Sequence, residues 1–132
     1  MEYDPRFLKA VEEFNQGLFY ESHETLEELW LEDHGPERDF YQGIIQVAAG
    51  YFKWEQEVPQ GAIKLWRSAM RKLEPYRPAC LGVAVTEFLS DVEADLAAVE
   101  AWCDKGGAAP ELRMPRLSRQ GEPVRDPGSS RG

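Results

Sequence analysis

Histidine and cysteine are scarce in this sequence, with two of each in 132 residues. Cys80 and Cys103 lie far apart and form no CxxC pair. That excludes a disulfide-rich secreted scaffold and fits free thiols in a reducing cytoplasm. Long apolar runs are missing too. The longest, residues 44–52, is interrupted by Gln46 and is too short to span a bilayer, so no membrane partner is expected. The N-terminal MEYDPRF is acidic and has no apolar centre, so no signal peptide is expected and the location is read as cytoplasmic. Glycine content and charge pattern exclude a collagen or a coiled-coil rod. Nucleophile elbows and phosphate-binding glycine loops are absent, and neither Ser22 nor the cysteines have a triad around them.

What is present is unevenly distributed. Residues 1–104 carry 21 acids, 9 bases and all 15 aromatic residues, whereas residues 105–132 carry 3 acids and 6 bases. The second segment is 12 parts in 28 Gly, Pro and Ser. The expected organisation is therefore a helical domain over 1–104 and a disordered basic tail over 105–132. The acidic body argues against duplex nucleic acid as a partner. The tail arginines Arg113, Arg116, Arg119, Arg125 and Arg131 are read as solvated, with contact to an anionic partner as the alternative.

Apolar spacing and breakers predict five helices. Asp4-Pro5 opens the first over 5–16, and Gly17 stops it. The second runs from Tyr20 to Asp33, and His34 at its end reads as a capping or dipole partner. The third runs from Pro36 to Gln56 and is apolar around most of its circumference, which makes it central. Pro59 opens the fourth, which Pro75 and Pro78 end. The fifth starts within 83–86 and closes at Gly106-Gly107. No strand-like alternation appears. The fold class is all-α, a compact antiparallel bundle of about five helices.

Helix two holds the candidate site. At about 100° per residue, Phe19, His23, Leu26 and Trp30 share one face, so His23 is expected to point into the core with Glu27 at the edge of that face. A neutral imidazole and a carboxylate four residues apart can chelate a divalent metal. The same pair can serve as a buried hydrogen-bonded packing pair, with Gln46 of the central helix as another partner. Zinc sites need three or four protein ligands, and one pair falls short of that. HETLE is not the HExxH metalloprotease helix, because Glu27 stands where the second histidine would be, and no Glu-x-x-His pair of the di-iron type exists. Trp30 reads as a core aromatic or as the wall of a pocket that Asn15, Gln16 and Tyr20 also line. Gly43, Gln46, Gly50 and Lys53 form one stripe, which serves either close helix approach or ligand room beside Gln46.

FNQGLFYESHETLEELW, RDFYQGIIQVAAGYF and GAIKL together resemble the domain of unknown function 309 family of bacteria and archaea. The family's His-x-x-x-Glu-x-x-Trp/Tyr signature is met by His23, Glu27 and Trp30. The resemblance is clear over about 5–75, looser over 83–104, and stops before the tail. It implies a small all-α fold and a suggested metal-binding role, with no known reaction. The sequence departs from the family at Lys53, near a position where relatives carry histidine, and at Glu57-Val58, where relatives carry Gly-Asn.

The resulting expectation is a small helical-bundle protein whose His23 and Glu27 hold a divalent metal or a small polar ligand, with Trp30 and Gln46 lining the site. The alternatives are a structural or interaction module, in which the pair only packs helices, and a metal-free small-molecule pocket between helices two and three. Whether any reaction is catalysed is left open. Tyr41 and Trp54 are candidates for a homodimer face.

Overall fold

A computed structural model describes residues 3–118. Five helices follow in order: α1 (Pro5–Asn15), α2 (Phe19–Glu32), α3 (Arg38–Glu55), α4 (Pro59–Leu73) and α5 (Val85–Lys105). A 3-10 turn, Glu74–Tyr76, leads from α4 into a two-residue hairpin of β1 (Ala79–Cys80) and β2 (Val83–Ala84). The all-α reading is correct, and the predicted boundaries hold to within a few residues. Among the described residues, no helix is long and apolar enough to cross a membrane.

The helix ends follow from local chemistry. Asp4 caps α1, its Oδ1 accepting the Arg6 N–H at 2.8 Å, and Pro5 occupies the first turn. At the other end Gly17 takes φ +82°, the Gly17 N–H donates to the Phe14 carbonyl, and the Leu18 N–H reaches back to the Glu13 carbonyl. This left-handed cap uses carbonyls that the helix itself leaves unpaired. The same arrangement closes α3, where Glu57 at φ +64° occupies the position that favours glycine. The hairpin escaped the sequence reading because its turn is Leu81-Gly82, both at positive φ. Leucine is a poor marker for such a turn.

The central position of α3 is confirmed. Nine of its residues are buried, among them Phe40, Ile44, Val47 and Tyr51. Phe7 of α1 meets Phe40 and Tyr41, with ring centroids 6.2 and 6.0 Å apart, and Tyr51 packs on Trp66 of α4 at 4.7 Å. The glycines of α3 decide how closely α4 approaches. A Cβ on Gly50 would lie 2.3 Å from Trp66 Nε1, and one on Gly43 would lie 2.6 Å from the Leu73 side chain. The stripe thus serves helix–helix contact and leaves no ligand room at those positions. Tyr41, one of the aromatics considered for a dimer face, is buried in the bundle, whereas Trp54 is half-buried and meets Trp102 edge-on.

The expected tail boundary at 104 needs revision. α5 continues to Lys105, and residues 107–118 run back along the body as an ordered strap. Leu117 is 1% exposed within the core, and the Asn15 amide bonds both the N–H and the C=O of Leu117. Composition counts residues and cannot see that Pro115 and Leu117 have pockets waiting in the folded body. The remainder of the expected tail, 119–132, lies outside the described residues, with Arg119, Arg125 and Arg131.

Candidate functional site

Helix α2 presents an unexpected buried face. Its buried residues are Phe19, Ser22, Thr25, Leu26 and Leu29. Ser22 donates to the Ala10 carbonyl and Thr25 to the Glu13 carboxylate, both at 2.8 Å, so small hydroxyls face α1. The centre of this arc falls at Ser22, about 100° from His23. His23 is therefore on the rim of the helix and not in the core, which corrects the sequence expectation. Apolar spacing cannot register Ser22 and Thr25 as inward residues, because their burial depends on partners in α1.

On that rim, His23 Nε2 and Glu27 Oε2 stand 3.5 Å apart, with side-chain exposures of 26% and 48%. The pair is therefore partly open to solvent and is not a fully buried packing pair. A divalent ion binds such donors at about 2.0–2.2 Å, which sets two tetrahedral ligands about 3.4 Å apart. The separation in the structure matches two positions of one ion. Among the described residues, no group of three or more His, Cys, Asp and Glu is assembled that could complete such a site.

The partner rim comes from α3. Tyr20 and Phe52 rings lie 5.3 Å apart, and Arg38 lies 4.1 Å above the Trp30 ring. These two contacts fix an antiparallel α2–α3 pair, and Tyr20 also touches His23 at 5.9 Å between ring centroids. The Tyr20 phenol is pushed up by the nearby Glu24 carboxylate. Trp30 Nε1 and Arg38 Nε are both buried without a hydrogen-bond partner. Two unsatisfied donors beside one another are costly when closed off from water. Arg38 was missed by the sequence reading, yet a signal existed. Trp30 is in the last turn of α2 and Arg38 is in the first turn of α3, across a short connection that forces them together.

The other expected site residues are dispersed. Gln46 lies about 40–60° from the Gly43 and Gly50 directions that abut α4, and about 80–120° from Arg38 and Phe52, which face α2. Its Oε1 is buried and unpartnered, but it belongs to the α4 side of α3. Lys53 lays its side chain beside Gly61 at the start of α4. Asn15 is engaged by Leu117, and Gln16 and His34 are exposed. A surface depression of about 420 Å³ does lie at one end of the α2–α3 pair, lined by Leu18, Tyr20, Glu21, Phe52 and Glu55 among others. Burial raises the Glu55 carboxyl above its usual range. Neither His23 nor Gln46 lines the depression, and the Tyr20 ring, in contact with both Phe52 and His23, stands at its border.

The residues that carry this rim lie within a stretch that is similar to a known family. Residues 7–65 match the domain of unknown function DUF309. The match covers α1, α2, α3 and the first half of α4, and so includes His23, Glu27, Trp30 and Arg38. It supports the resemblance drawn from the sequence and adds no activity. No curated protein matches the chain.

Proposed function

We propose that this protein is a small helical binding module whose functional surface is the α2–α3 rim, with His23 and Glu27 as a two-ligand half-site for a divalent cation. The observation that carries this reading is the 3.5 Å Nε2–Oε2 separation on an open face. Both donors are accessible, and their spacing suits one ion. Because the chain supplies two ligands there, oxygen donors from a bound molecule or partner complete the sphere. Arg38, laid over Trp30 about one turn beyond Glu27 along α2, brings a positive charge to the same rim that favours an anionic group on that molecule. Protons compete with metal for imidazole, so uptake falls as the pH drops. Two free thiols, Cys80 and Cys103, fit a reducing cytoplasm for such a module.

The test is calorimetric titration of the untagged chain with zinc and with manganese, beside His23→Ala and Glu27→Ala. One weak site per chain, lost in both variants, supports the half-site. Absence of binding, or binding unchanged in both variants, removes the metal. A metal-free ligand at the same rim would instead bind in the presence of a strong chelator and weaken in Arg38→Gln.

A further inference from the structure

Residues 106–118 leave α5 at Gly106 and Gly107, both at positive φ, and return along the helix they have just left. At the far end the Ala84 N–H donates to the Ser118 carbonyl at 3.0 Å, beside the first residue of α5. Twelve residues thus cover the length of a 21-residue helix. That is about 32 Å, roughly three quarters of the reach of twelve fully extended residues, so the strap is a largely extended chain.

The body holds this strap mainly by its backbone. Asp95, 2% exposed, accepts the Arg113 N–H on Oδ1 at 2.7 Å and the Met114 N–H on Oδ2 at 3.1 Å. Met114 sits at φ +55°, which turns two successive N–H groups toward one carboxylate. Asn15 bonds both backbone groups of Leu117, at 2.7 and 3.3 Å. Side chains alternate: Pro115 and Leu117 are buried, while Arg113, Met114, Arg116 and Ser118 are exposed. One exposed ion pair, Arg113 with Asp91, is the side-chain exception. Backbone bonds combined with pockets for alternate residues are how proteins recognise extended peptides in general.

We propose that the groove between α1 and α5 is a recognition site for extended peptide segments of Pro-x-Leu pattern, and that residues 112–118 occupy it as a tethered, displaceable ligand. The groove is built for an occupant. Without one, Asp95 would keep only the Tyr51 hydroxyl, at 2.6 Å, as a donor. The two-glycine hinge lets the strap leave without disturbing α5. A short tether holds its own segment at an effective concentration of about millimolar, so the cis segment screens out weaker competitors. Release would also reach the central helix, because Tyr51 of α3 donates to the same carboxylate.

The probe is a fluorescein-labelled peptide of residues 109–118, titrated against the full chain by fluorescence polarisation. Leu117→Ser in the chain weakens the cis segment and leaves Asp95, Tyr51 and Asn15 in place. The peptide should bind this variant at least about tenfold more tightly than the wild type, and adding Asn15→Ala should abolish the gain. Equal affinity for variant and wild type, or a gain that survives Asn15→Ala, overturns the proposal. Hydrogen exchange on the wild-type chain decides the matter even if the variant does not fold. Amides of Arg113, Met114 and Leu117 should exchange through an opening that leaves α3 and α5 protected. Exchange of those amides only with global unfolding would make the strap an inseparable part of the core and overturn the groove as a recognition site.

Discussion

The two polar sites of this protein differ in how firmly they are held. On the α2–α3 rim, His23 and Glu27 are half-exposed, their contact is 3.5 Å, and neighbouring Trp30 and Arg38 each keep a buried donor without a partner. Asp95, in contrast, is buried and takes three donors, from Tyr51, Arg113 and Met114, within 2.6–3.1 Å. The first arrangement is incomplete by itself, as expected of a surface that engages something else. The second is satisfied internally and fixes the segment around residues 113–114. A motif in the sequence therefore marked the weaker network, and the stronger one rests on residues without a motif.

The sharpest way to break this comparison is Asp95→Ala. It strands the Tyr51 hydroxyl and two strap N–H groups, and should lower stability by about 2–4 kcal/mol in chemical denaturation. A loss near zero would show that the strap network does not hold the fold. Next comes Gly50→Ala, which places a methyl against an indole already bonded to the Val47 carbonyl at 3.3 Å. It should cost about 1–3 kcal/mol despite the better helix propensity of alanine. An equally stable variant would mean that α3 and α4 can separate cheaply.

Glu57→Gly should move stability the other way. It relieves a left-handed glutamate at the end of α3, and a gain of about 0.5–1 kcal/mol is expected in the same assay. The rim pair should matter least. Glu27→Ala removes a half-exposed i,i+4 contact and should change stability by less than about 0.5 kcal/mol. A loss of several kcal/mol would make the pair structural after all and remove the contrast with Asp95.

Alkaline titration addresses two groups that burial keeps protonated. Burial lifts the Tyr41 hydroxyl to about 12 and the Cys80 thiol to about 11, from 10.0 and 9.0. Both raised values mean that the folded chain holds its proton longer than the unfolded chain does. The stability linked to these groups is complete below about pH 9 and declines as the pH rises from 9 toward 12. Thermal melts across that window should show the decline, and Cys80→Ala should flatten its lower part, between 9 and 11.

The helices were legible from local sequence rules alone. Proline and glycine positions, the Asp4 cap and 3.6-residue spacing are local, and they located α1 to α5 and the central role of α3. The sequence also singled out His23, Glu27 and Trp30 through the family signature. Tertiary structure decided which way those residues face. The inward arc of α2 is centred on Ser22, a hydroxyl whose burial depends on the Ala10 carbonyl of another helix. Tertiary structure likewise separated Gln46 from His23, since the close approach of α4 to Gly43 and Gly50 sets the rotation of α3. It also ordered a segment whose composition reads as disordered, through Asp95 and Asn15, which lie 18 and 102 residues away from their strap partners. Local rules cover neighbours along the chain. Partners that distant in sequence meet only once the helices have packed.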